Sequence, residues 1–288
     1  MQKRLEEIHR QHPTWGRTRL AEAAGCHPSK ARRFLDKRSE ATIAKKFYRI
    51  VCLHDWHVPY HDAKAVSCQL EFCRQIQPNE IILHELHDFY ALSRFNKNPT
   101  RAFQLQDEID ATHSLLKTLR EYCPTATIRL LKSNHTDRLQ RYLWSNATAL
   151  HGLRALELPM LFNLHELDIK YQANYHYKGT LFKHGHIVRQ QSAYTAHAEY
   201  QREGTSGMSG HSHRGGSFYR TVRGGSYVWI EGGCACDLSP EYIEDDVANW
   251  QHGLGIATFE NDGAQYHLQF VPIIKGKLLW GNRLIVGI

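Results

Sequence analysis

From Tyr48 to about residue 205 the chain alternates short β-rich runs with longer helix-like stretches, and this alternation restricts the fold more than any other feature. The β-rich runs are YRIVCL, EIILH, ATIRLLK, LDIKY and TLFKH; helix-like stretches lie at 63–77, 101–122 and 137–151. Such a pattern predicts an α/β layered core. Past residue 205 the texture turns to Gly-rich turns and short strands (GSFYRTV, SYVWIEG, GLGIATFE, QYHLQFVPII), which predicts a second sheet closing against the first. With 288 residues, 42% of them hydrophobic, the chain can bury one large core plus a small appendage.

The appendage is marked by charge. Residues 1–46 hold 12 Lys and Arg against 5 Asp and Glu, whereas the remainder has 24 of each, so the whole net charge of +7 sits in the first sixth of the chain. A module that neutralises phosphates and releases their counterions needs such a concentration; a solvated basic helix would show it too. Within the segment, TRLAEAAGCHPSKARRFLDKR (18–38) reads as a helix-turn-helix. Leu20, Ala21 and Ala24 form one apolar face, Gly25 supplies the turn, Pro28 and Ser29 open a second helix, and Ala31, Phe34 and Leu35 repack on the first. Ser29, Lys30, Arg32 and Arg33 then lie on or beside the helix that enters a major groove, making DNA the expected partner, with a helical oligomerisation or packing element as the competing reading. Residues 36–46 read as a polar linker or connecting helix, and a second domain is expected over 47–288.

Polar residues follow the strands in series. LHDWHVPYHD comes after the first, HELHDF after the second, KSNHTDRL after the third, and KHGHIV and SGHSHRGG after two later ones. Each places His, Asp, Glu or Asn just past an apolar run, the position that converges on the carboxyl edge of an open sheet, where ligands bind. One such cluster would mean little; five in series point to a shared site.

In order and spacing these segments resemble the calcineurin-like metallophosphoesterase family, whose signature runs DxH, GDxxD, GNH(D/E), a histidine before glycine, and GHxH. Asp55 and His57 match the first motif, Asn134 and His135 the third, His184 before Gly185 the fourth, and Gly210, His211 and His213 the fifth. The resemblance covers roughly residues 47–235, and the segments GGCACDLSPEY and NWQHG beyond are similar to versions of the family found in bacterial viruses and prophages. It implies a two-sheet β-sandwich core flanked by helices, beside the small all-α amino-terminal module. It also implies two divalent cations: one on Asp55, His57, Glu85 and His213, the other on Glu85, Asn134, His184 and His211. Glu85 stands where the family has its metal-bridging aspartate, Asp88 where it has a second aspartate, and His84 where it has glycine. Thr136 departs from the acid that usually follows GNH, and Asp137 is a substitute that would point differently. His84 and His87 are expected to orient a ligand, pack, or donate to phosphate. Arg214 is a candidate phosphate clamp or a surface arginine, and His186 is expected not to be a ligand.

The chemistry explains the residue types. Two cations about 3.5 to 4 Å apart polarise a phosphoryl oxygen and generate a bridging hydroxide for in-line attack. Asp55 and Asn134 would help assemble the reacting centre, and His135 would donate a proton to the leaving oxygen or stabilise the transferring group. Imidazole and oxygen donors without thiolate favour manganese, with iron or zinc as alternatives. The leading expectation is a phosphodiesterase or nuclease acting on DNA; a phosphomonoesterase on nucleotides or phosphoproteins, and a DNA-binding scaffold with an impaired core, are the competing readings.

Other classes fit poorly. No apolar run approaches the ~20 residues that span a bilayer, and MQKRLEEIHRQHPTW lacks the apolar stretch of a secretory signal, so a cytoplasmic location without a membrane partner is expected. Seven scattered cysteines fit a reducing compartment, and the Cys234–Cys236 spacing alone is weak evidence for zinc. No oligomeric state follows from the sequence.

Overall fold

The structure, a computed structural model, describes residues 1–94, 97–98, 104–240 and 247–287, with backbone alone for 39–45. Two compact units emerge: Met1–Tyr48 with Phe259–Gln265, and Arg49–Thr258 with Tyr266–Ile288. Among the described residues no helix is long and apolar enough to cross a membrane.

In the first unit, α1 (Gln2–Gln11), α2 (Arg17–Ala24) and α3 (Pro28–Lys46) bury Leu5, Leu20, Ala21, Ala24, Ala31 and Phe34 together. Gly25 ends α2 in the left-handed region at φ 64°, where its N–H reaches Glu22 O and the Cys26 N–H reaches Ala21 O. These two bonds satisfy carbonyls that the helix end would otherwise leave bare. His27 caps α3 by accepting from the Ser29 N–H, and Pro28 sits in the first turn, where a missing N–H costs nothing. The stretch 36–46 is the remainder of α3.

The second unit is mixed α/β with two mixed sheets. Its chain runs β1 (Phe47–Leu53), α4 (Ala63–Ile76), β2 (Glu80–Leu83), α5 (Leu105–Tyr122), β3 (Thr127–Leu131), α6 (Arg138–Asn146), α7 (Leu158–Leu161) and β4 (Ile169–Gln172). Then come β5 (Asn174–Tyr177), β6 (Thr180–Lys183), α8 (Tyr194–Glu203), β7 (Ser206–Ser209), β8 (Gly215–Val222), β9 (Gly225–Gly232), β10 (Gly253–Glu260), β11 (Tyr266–Ile274), β12 (Lys277–Trp280) and β13 (Arg283–Val286). One sheet has the order β13-β12-β11-β10-β1-β2-β3-β4, the other β5-β6-β7-β9-β8. Strands β1 to β4 pair in parallel, as do β6, β7 and β9.

Helical crossovers explain the parallel pairing, and both faces of β1 and β2 are covered, which is why their apolar runs are nearly unbroken. Val51, Leu53, Ile81, Leu83, Ile128 and Leu130 join the core that includes α4 and α5 residues. The alternate positions, Cys52 and Ile82 among them, face the other way. There the second sheet closes in: His84, just past β2, donates from Nδ1 to the Lys183 carbonyl of β6 at 3.0 Å.

Three expectations need correction. TLFKH (β6) joins the smaller sheet, while GLGIATFE (β10) and QYHLQFVPII (β11) join the larger. Strand texture reports that a run pairs, not with which sheet; β10 is buried along nearly its whole length because it fills the centre next to β1. The helix expected at 137–151 stops at Asn146 and gives way to a short 3-10 turn at Thr148–Leu150. Of the helix expected at 101–122, residues 101–103 lie outside the described residues, as do Glu241 and Tyr242 of GGCACDLSPEY.

Candidate metal centre

Loops leaving the carboxyl ends of β1, β2, β3, β6 and β7 carry Asp55 and His57, Glu85 and Asp88, Asn134 and His135, His184, and His211 and His213. Two of these loops are built alike. Asp55 and His57 take φ of 49° and 53°, and His211 and His213 take 69° and 58°. Asp and His enter the left-handed region more readily than most residues, yet each such conformer stores on the order of 1 kcal/mol. The residue between each pair is anchored inward: Trp56 Nε1 donates to Gln69 Oε1 at 2.6 Å, and Ser212 Oγ donates to Glu231 Oε1 at 2.9 Å. A Cβ at Gly210 would stand 2.5 Å from Asp55 Oδ2, so only glycine fits there.

The side chains converge on Glu85. His57 Nε2 lies 2.9 Å from Glu85 Oε1 and 3.0 Å from His213 Nε2. On the other side, His184 Nε2 is 3.4 Å from Glu85 Oε2 and 2.9 Å from Asn134 Oδ1, while its Nδ1 is 3.6 Å from Asp55 Oδ1. His135 Nε2 is 3.8 Å from Glu85 Oε1. Asp88 stands behind, its Oδ2 accepting from His57 Nδ1 at 3.0 Å and its Oδ1 from Arg138 at 2.6 Å. Asp55–His57–His213, His57–Glu85–His135 and Asp55–Glu85–His184 each bring three donor atoms within 4.8 Å, close enough to share one ion.

Electrostatics favour a cation here. Burial and the neighbouring Glu85 push the Asp55 carboxyl up. Burial opposes ionisation of Glu85 as well, but His135, His57 and His184 hold it well below the carboxylate range. On His57, burial is outweighed by Glu85 and Asp88, which raise it far above an ordinary imidazole. Burial keeps His135 neutral, with a pKa of about 3, and His184 likewise at about 4. Asp55 Oδ1, Glu85 Oε2 and His184 Nδ1 are buried with no hydrogen-bond partner among the described residues. Lone pairs left that way cost roughly 1–3 kcal/mol each unless something occupies them, and a divalent ion bound by carboxylate and imidazole fits the donor set.

Not every expected residue joins. His211 gives its backbone N–H to Asp55 Oδ2 at 2.9 Å, and its ring sits 5.1 Å from that of His184, at the rim of the cluster. His84 and His87 are fully buried and pack, His84 against the second sheet and His87 against Phe89 and Phe162. Arg214 donates to the Ser212 carbonyl at 3.2 Å. Asp137 pairs with Lys132 at 3.0 Å, and Thr136 Oγ1 bonds within its own loop to Ser133, so neither supplies the missing acid. His186 is exposed and contacts Arg202 at 2.6 Å. Ser29, Lys30, Arg32 and Arg33 are all exposed on α3.

Two contributors are not apparent in the sequence pattern. Arg138 reaches Asp88 and faces His135 Nε2 at 3.0 Å; it opens α6 three residues after His135, across the turn that its N–H closes on the His135 carbonyl. Glu108 of α5 accepts the backbone N–H of Phe89 and thereby fixes the turn after Asp88, with no local signal in the sequence. Cys236 Sγ also lies 3.6 Å from His213 Nδ1, with Cys234 close by.

Fold and site together define a class: an α/β protein with two mixed sheets and buried His, Asp and Glu clusters able to take up metal ions. Two phage proteins are similar to it. The chain is 29% identical over 246 residues to the gene 54 protein of Mycobacterium phage D29, covering 80% of this chain and 95% of that one. Against the gene 54 protein of Mycobacterium phage L5 it is 28% identical over 253 residues, covering 82% and 98%. No family model matches.

Proposed function

We propose that this protein is a metal-dependent phosphoesterase of the calcineurin-like type, acting on phosphodiesters and foremost on DNA. The observation that carries the reading is the convergence of Asp55, His57, Asn134, His135, His184 and His213 around Glu85, with orphaned lone pairs aimed inward. Asp55, His57, Glu85 and His213 would hold one ion, and Glu85, Asn134 and His184 a second, with His211, whose ring stands 5.1 Å from that of His184, as its outermost ligand, manganese first. When bound, such ions polarise phosphoryl oxygens and make water nucleophilic near neutral pH.

The chain's own groups do the rest. Asp88 orients His57, the usual task of a carboxylate behind a ligating imidazole. His135 donates from Nδ1 to the Asp88 carbonyl at 2.9 Å, which leaves Nε2 and the Arg138 guanidinium side by side at the edge of the cluster. A phosphate oxygen entering there would meet Arg138 as a donor and, by its charge, favour protonation of His135. A cleft of about 500 Å³ opens beside Asn134 and carries Arg94, Lys97, Arg138 and Arg141, a lining suited to a polyanion. In the first unit, α2, the turn at Gly25 and α3 are read as a helix-turn-helix with Ser29, Lys30, Arg32 and Arg33 towards DNA.

Purified protein loaded with Mn2+ is to be given bis-p-nitrophenyl phosphate and p-nitrophenyl phosphate. The diester should turn over faster, and His135→Ala should lower turnover about 10²- to 10⁴-fold while keeping its metal content. Faster monoester hydrolysis would make the enzyme a phosphomonoesterase; no hydrolysis of either ester by fully loaded protein would end the enzymatic reading.

A further inference from the structure

One residue before Asp55 and Glu85, on the side of the large sheet that faces the small one, lie two more histidines. The register pairs Cys52 with Ile82 and Leu53 with Leu83, so His54 and His84 come next to each other as the parallel strands end. Their rings are 4.0 Å apart between centroids and fully buried. His84 spends Nδ1 on the Lys183 carbonyl, which leaves its Nε2 without a partner; both ring nitrogens of His54 are likewise unpartnered among the described residues. Cys52, two residues back on the same face, completes a trio whose donor atoms lie within 4.8 Å of one another. Nothing in the proposed reaction uses any of them.

The surroundings are shaped for the His54 imidazole. A Cβ at Gly232 would collide with the ring, one at Gly210 would stand 3.1 Å from its Nδ1, and one at Gly255 would stand 3.2 Å from its Nε2. Three separate segments thus forgo a side chain where the ring sits. The Gly255 position also abuts Met208 Sδ, which brings a thioether alongside.

We propose that Cys52, His54 and His84 form a second, separate metal site that takes a thiophilic cation of the zinc class. A thiolate with two imidazoles selects such an ion over manganese or magnesium, which favour oxygen donors. Uptake releases the Cys52 proton as the thiolate forms, and gives a partner to nitrogens that have none. The ion would tie together the ends of β1 and β2 immediately behind Asp55 and Glu85, a structural role that does not depend on hydrolysis of any substrate.

Cobalt(II) reports on this directly, since thiolate ligation gives a near-ultraviolet charge-transfer band that imidazole and carboxylate do not. Full-length protein produced in cobalt-supplemented minimal medium should show the band. It should vanish in Cys52→Ser and persist in the double variant Cys234→Ser with Cys236→Ser, the control for the thiols near His213. Should Cys52→Ser fail to fold, zinc-edge X-ray absorption on wild-type protein and on the Cys234→Ser, Cys236→Ser double variant decides: a sulfur at about 2.3 Å in both supports the site. A band that follows Cys234 or Cys236, or a zinc shell of nitrogen and oxygen alone, overturns it.

Discussion

Glu108→Gln should stabilise the protein at neutral pH. The carboxyl of Glu108 is only 2% exposed, and burial, followed by the pull of hydrogen bonds the other way and the repulsion of Asp88, raises its pKa from 4.5 to about 8. Between those two values the unfolded chain gives up a proton that the folded chain keeps, so stability falls as pH rises through this window and is undiminished below it. Each unit is worth 1.36 kcal/mol, so the cost is about 3 kcal/mol at pH 7 and approaches 5 kcal/mol above pH 8, as orders of magnitude. Glutamine offers the Phe89 N–H the same carbonyl acceptor and has no proton to lose. Urea unfolding of both proteins at intervals from pH 4.5 to 8 measures the difference. It should be near zero at the acid end and grow with pH; parallel curves across the range would show that Glu108 does not titrate abnormally and that the reasoning is wrong.

Other expectations are as direct. Asp88→Asn should weaken metal binding about 10- to 100-fold, because His57 Nδ1 loses the carboxylate that orients it; unchanged affinity by calorimetry would remove Asp88 from the site. A proton and a cation compete for His57, whose pKa is raised, and for Asp55, also raised, so metal uptake should release protons and tighten as pH increases. Titrations in buffers of different ionisation enthalpy count those protons, and none released would contradict the assigned ligands. Lys30→Ala with Arg33→Ala should lower the slope of log affinity for duplex DNA against log salt by about 1 for each phosphate that is no longer neutralised; an unaltered slope would detach α3 from DNA.

The sequence announced β1, α4, β2 and β3 because strands covered on both faces read as unbroken apolar runs, and their polar ends stand out against them. The partners of β6 and β10 did not show, since pairing is decided by three-dimensional neighbours that local composition does not encode. Around the site, Asp55, His57, Glu85, Asn134, His184 and His213 were visible as residue types at strand ends. Arg138 and Glu108 were not, because each looks like an ordinary charge on a helix until the loop it grips is in place. His84 illustrates the remaining gap: one position from Glu85, it faces the opposite side of the sheet, a difference set by strand alternation past the point where the strand is recognisable.

Trp56 and Ser212 sit at the crests of two turns whose flanking residues are bent against their preference, and Gln69 fastens Trp56 while its own amide donates to the Gly253 carbonyl at 2.7 Å. The edge that gathers the candidate ligands is therefore a sprung frame bolted to α4 and β10, and it borrows its shape from the interior. A small slackening of that fastening, as by Gln69→Leu, would let the turn at Trp56 relax towards ordinary backbone angles and draw Asp55 and His57 out of the cluster while the sheets remain folded.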